Sequence, residues 1–178
     1  MQKNFISILI FGGFAYIARA GIEFINPEYW NPKSYIDYLA VILTSLQDIL
    51  LAAILFTMLK LVPDRRELKK KIWSLTITIS AFGSLVSGIG NFLEDAMSFK
   101  QVGSFMFTYG GLIGGISLMI VFGFSLTIAE LRKRWAWFYL IPLVSVIMFS
   151  DFGGFITGAA LLILSSIEKR YLFTIEKD

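Results

Sequence analysis

Four apolar runs, each long enough to cross a bilayer as a helix, follow one another down this chain, and their succession constrains the fold more than any other feature. They cover about residues 4–24, 35–62, 72–94 and 103–131. At ~1.5 Å of rise per residue, about 20 residues span the ~30 Å hydrocarbon core of a membrane. The first run reads as a retained helix, because Arg19 and Glu23 stand where a cleaved leader would carry small residues. Tyr29 and Trp30 follow it in a loop with two prolines, the aromatic signature of a membrane–water interface.

The remaining apolar region, residues 135–167, poses a length problem. As one helix it would measure ~50 Å, too long even when steeply tilted. Asp151-Phe152-Gly153-Gly154 divides it into two short spans, about 135–150 and 152–168, with a re-entrant hairpin as the alternative. The expected fold is therefore an all-α integral membrane protein, a bundle of six transmembrane helices arranged as three hairpins. It forms a single membrane domain over residues 1–178, with N- and C-termini cytoplasmic.

Charge decides that orientation. With both ends inside, the inner face collects Lys3, Lys60, Arg65, Arg66, Lys69, Lys70, Lys71, Arg132, Lys133, Arg134, Lys169, Arg170 and Lys177, which is 13 of the 16 basic residues. Only Arg19, Lys33 and Lys100 fall toward the outside. A positive-inside bias of this kind is what orients helices in a cell membrane. The net charge of +3 does not point to nucleic acid, because the basic residues sit in short turns between apolar runs. Two of those turns, Arg65, Arg66, Lys69, Lys70 and Lys71, and then Arg132, Lys133 and Arg134, suit anionic lipid.

Composition narrows the chemistry. Charged residues make up 16% of the chain and hydrophobic ones 56%, whereas soluble domains carry about 25% charged. The chain has neither cysteine nor histidine. Disulfides, thiol redox chemistry, His or Cys ligation of zinc or haem, and triads built on either residue are thereby excluded. No Walker motif, potassium-filter sequence or HExxH is present. No cofactor and no metal centre are expected.

The residues left to carry function lie on helix faces. Thr76, Ser80, Ser84, Ser87, Asn91 and Glu94 recur at three- and four-residue spacing, one polar stripe on the third helix. Its opposite face is Ile77, Ile79, Phe82, Val86, Ile89 and Leu93. In lipid such a stripe turns toward other helices or a wet cavity. Asp37, Thr44 and Asp48 share a face of the second helix, and Asp48 lies 13 residues past Tyr35, ~20 Å into the membrane. A carboxyl there is protonated, paired, or lining a cavity. On the first helix Arg19 precedes Glu23 by one turn, so it can form an ion pair or hold an anionic group. Glu23, Glu28, Asp37, Glu94, Asp95 and Asp151 gather toward the outer face, where they either mark helix ends or attract cations.

Three classes of function follow. The leading one is a small transporter, or a membrane sensor of similar design, with an outward-facing polar pathway through Arg19, Glu23, Thr44, Asp48, Ser84, Ser87, Asn91, Glu94, Asp95 and Asp151. The alternative is a non-catalytic membrane subunit that packs with a partner or with itself. Its glue would be the overlapping GxxxG pairs Gly110, Gly111, Gly114 and Gly115. A lipid-modifying enzyme working through paired carboxylates comes third, since nothing in the sequence marks a substrate pocket.

Overall fold

The structure is a computed structural model that describes residues 2–25, 32–61, 66–129 and 150–175. Five α-helices account for most of these: α1 (Gln2–Ile25), α2 (Tyr35–Leu61), α3 (Leu68–Asn91), α4 (Lys100–Thr127) and α5 (Ser150–Ile175). A single π-helical turn, Phe92–Ala96, extends α3. Residues 4–25, 35–60, 68–96 and 100–127 form four helices long and apolar enough to cross a membrane, and this is a helical membrane protein. The expected fifth span, about 135–150, lies outside the described residues except for Ser150.

Several helices outrun the apolar stretches that announced them. α3 begins at Leu68, four residues before its apolar run, and α4 begins at Lys100. Leu and Lys are good helix formers, so the backbone ladder continues into the polar zone after hydrophobicity has ended. α2 starts with a capping box. Ser34 and Asp37 exchange bonds, the Ser34 N–H to Asp37 Oδ2 at 2.8 Å and the Asp37 N–H to Ser34 Oγ at 3.3 Å. The Lys33 N–H adds a third bond to the same carboxylate oxygen, also 2.8 Å. Asp37, itself buried, is thus spent on capping the start of α2.

The helices pack as neighbours in the order α5, α1, α2, α3, α4. Each contact is antiparallel. Arg19 meets Gln47 while Gly12 approaches Ile54, which sets α1 against α2. Asn91 meets Ser45 while Phe82 meets Phe56 edge to face, which sets α2 against α3. Gly83 faces Gly114 and Trp73 bonds Ser125, fixing α4 on α3. Gly154 packs on Ala20 and Gly158 on Gly13, fixing α5 on α1. Asp151 to Gly154 thus form the first turn of α5, and Gly154 and Gly158 are where its backbone comes up against α1. In a membrane, glycine in a helix serves close backbone approach.

One apolar cluster ties all five helices together, with Phe5, Leu9, Leu55, Met58, Trp73, Ile77, Val121 and Leu164 at its centre. Elsewhere the bundle inverts the usual soluble pattern. α3 buries Thr76, Ser80, Ser84, Ser87 and Asn91, yet leaves Leu75 63% and Phe82 53% exposed. Exposed leucine and phenylalanine outside, with hydroxyls inside, is the arrangement a lipid solvent selects.

Candidate functional site

The polar stripe of α3 is divided between two neighbours. Ser80 Oγ donates to the Gly114 carbonyl at 2.9 Å, and the Ser84 backbone lies against Gly114, so this part faces α4. Ser87 and Asn91 face α2. Ser87 Oγ donates to Asp48 Oδ2 at 2.7 Å, and Asn91 Nδ2 donates to Ser45 Oγ at 3.1 Å. Ser45 Oγ in turn donates to the Val41 carbonyl at 3.0 Å. Gly88 lets these two helices close up, because a methyl group there would lie 2.8 Å from the Ser45 carbonyl and 3.0 Å from Asp48 Cβ.

On the other side of α2, Arg19 donates from one guanidinium nitrogen to Gln47 Oε1 at 3.1 Å and from another to Glu23 Oε1 at 3.3 Å. The ion pair with Glu23 is the i,i+4 contact expected from the spacing. The guanidinium also lies within electrostatic reach of the Asp48 carboxyl and of the phenol of Tyr16, a half-buried α1 side chain. α1, α2 and α3 thus converge on one polar cluster of Tyr16, Arg19, Ser45, Gln47, Asp48, Ser87 and Asn91.

Gln47 has the most telling position within it. The residue is 2% exposed, and its Nε2 has no hydrogen-bond partner among the described residues. Its oxygen must face Arg19, since turning the amide over would bring two donors together. The nitrogen is therefore held as an unused donor in the interior, a condition that costs ~1–3 kcal/mol when nothing fills it. Ser74 and Thr157 carry similarly unpartnered hydroxyls. A helical hydroxyl can swing to the carbonyl one turn back, as Thr44 Oγ1 does to Ala40 at 2.9 Å, whereas the amide of Gln47 cannot.

The other sequence candidates sit apart from this cluster. Thr44 is buried and its hydroxyl is spent on its own helix. Glu94 and Asp95 lie in the π-turn beside Lys100, half-buried, with Glu94 packed on Gly103. The side chain of Asp151 lies outside the described residues, as do Arg65, Arg132, Lys133, Arg134 and Glu28. Of the basic turn before α3, Arg66, Lys69 and Lys71 are exposed, while Lys70 is buried and pairs with Glu67 at 3.4 Å. Among the described residues no group of three or more carboxylates gathers at metal-binding distance.

The glycines of α4 separate by phase. Gly110 and Gly114 are buried against α3, whereas Gly111 and Gly115 are exposed and Gly115 has nothing within 4 Å. Three residues of this cluster escaped the sequence reading: Ser45, Gln47 and Tyr16. A lone amide between Leu46 and Asp48 in an apolar run was the signal for Gln47. Glu168, fully buried in α5, was missed as well. Comparisons with protein-family models, with curated proteins and with solved structures find no match, so the site is read from its own geometry.

Proposed function

We propose that the cluster between α1, α2 and α3 is the binding site of a small membrane transporter, or of a membrane sensor of similar design, for a small polar solute carrying a hydrogen-bond acceptor. The observation that carries this reading is the unused donor of Gln47, fully enclosed beside Arg19 and Asp48. A cluster built only for packing has no reason to keep a buried donor idle, since Leu at that position would pack without the penalty. Arg19 and Gln47 supply donors, and Asp48 supplies an acceptor or a charge, so a solute of mixed polarity is complementary to the site.

The test is ligand-dependent stabilisation of purified protein across a solute screen, followed by flux into proteoliposomes for the hits. Asp48→Asn keeps an acceptor for Ser87, so it should melt near the wild type while losing the response. A screen in which no solute shifts the melt or crosses the membrane would remove the reading.

The six-crossing topology in a cell membrane, both ends cytoplasmic, belongs to the same proposal. Its support is direction: α4 is antiparallel to α3 and α5 to α1, so α4 ends at one end of the bundle and α5 starts at the other. The proposed fifth crossing is what would join those two ends, and a helix is the form that satisfies a backbone in lipid. A C-terminal tag cleaved by external protease would overturn this count.

A second reading, a subunit that assembles with itself or a partner, is favoured by one observation. The GxxxG pair Gly111 and Gly115 is left exposed on α4.

A further inference from the structure

We propose that the end of the α3–α4 hairpin bearing the π-turn is a docking groove for one phospholipid with a zwitterionic, primary-amine head group. A cavity of about 530 Å³ opens there between the π-turn and the first turns of α4, with Glu94 and Lys100 both on its wall. The two opposite charges face this space without an ion pair joining them. An acid and a base held apart around one opening complement a ligand that carries both signs. Lys100 takes the phosphate and Glu94 the ammonium, each as a charge-assisted hydrogen bond.

The walls are fixed in place. A methyl group on Gly103 would run into the Glu94 backbone, so the π-turn lies flush on α4. Ser98, at φ 60°, and the bond from the Phe99 N–H to the Leu93 carbonyl at 2.9 Å close the connection between them. π-turns inside helices are recurrent at functional sites.

Polarity along α4 selects a lipid over a soluble zwitterion. The 28 residues of α4 measure about 42 Å, well beyond a ~30 Å hydrocarbon core, so its first turns stand at head-group level. There the groove is lined by Lys100, Ser104 and Thr108, with the rings of Phe105 and Tyr109 in tilted contact, centroids 4.5 Å apart, like an interfacial aromatic anchor. The same helical face continues downward as Leu112, Ile116 and Met119, all exposed. Polar at one end and apolar for the rest, it matches an amphiphile with its head in the cavity and a chain along α4.

The experiment is native mass spectrometry of the full chain in detergent after incubation with phosphatidylethanolamine, phosphatidylcholine and phosphatidylglycerol of identical chains in equal amounts. Wild type should retain one phosphatidylethanolamine about tenfold over phosphatidylcholine, whose quaternary nitrogen has no proton to donate. Lys100→Gln should lose that retention. Glu94→Gln should erase the distinction between the two zwitterions, and Lys33→Gln, a lysine at the same end but outside the cavity, should change nothing. Equal retention of all three lipids, a preference for phosphatidylglycerol, or a Lys100→Gln protein that retains phosphatidylethanolamine as the wild type does would each overturn the proposal.

Discussion

α3 makes two kinds of contact on its two buried sides. Toward α4 it offers backbone: a methyl group on Gly83 would lie 2.5 Å from the Gly114 nitrogen, and one on Gly110 would lie 2.6 Å from the Ser87 nitrogen. Toward α2 a single glycine, Gly88, makes such an approach, and beside it side chains bond, Ser87 to Asp48 and Asn91 to Ser45. The glycine side leaves no room for a third component, because removing side chains lets the helices meet directly. The hydroxyl and amide side holds its helices through polar groups whose remaining valences can be met by something else. The proposed binding site therefore lies beyond the α2 side of α3, away from the glycine contact with α4, with the unused Gln47 donor on the far side of α2 beside Arg19.

That contrast can be broken most severely at Gly83. Gly83→Leu should destabilise the protein by about 3 kcal/mol, since neither backbone can yield, and overpacking of this kind sits at the upper end of the usual range. Thermal unfolding in detergent would measure it, and a melt within a degree or two of wild type would mean the α3–α4 contact is loose.

A smaller effect is expected on the α2 side. Ser87→Ala removes the donor to Asp48 and should cost roughly 1 kcal/mol, as interhelical hydrogen bonds in membranes do. Asp48→Asn should cost less, because its carboxamide oxygen still accepts from Ser87. Chemical unfolding of the two variants side by side gives the order, and a reversed order would mean Asp48 matters to stability through charge instead.

The sharpest probe of binding comes next. Gln47→Leu removes both the idle donor and an acceptor of Arg19, two opposed effects that should leave stability within about 1 kcal/mol of wild type. Any solute-dependent rise in the melting temperature should vanish in it. A full response retained by Gln47→Leu would move the site away from α2.

The smallest expected change is Gly115→Leu, within about 0.5 kcal/mol, because the position opens onto free space. It differs from Gly114 by a single residue, so the pair isolates helix phase from composition. If Gly115→Leu instead alters the oligomeric state on size-exclusion chromatography, the exposed glycine pair is an assembly contact.

The sequence determined a good deal of this. Apolar runs of bilayer length located the helices, and the three-and-four spacing of Thr76, Ser80, Ser84, Ser87 and Asn91 marked the inward face of α3. The role of Asp37 at a helix end was also legible, and the Ser34–Asp37 capping box is the form it takes. Periodicity reports which side of a helix is polar because that is a property of the helix alone. It carries nothing about the neighbour on that side. Only the tertiary structure decided that Ser80 serves α4 while Ser87 serves α2, and that Gly110 and Gly114 pack while Gly111 and Gly115 do not. It also set Gln47 against Arg19 with one donor left over, since each of these depends on the rotation of two helices about each other, which no single run of residues encodes.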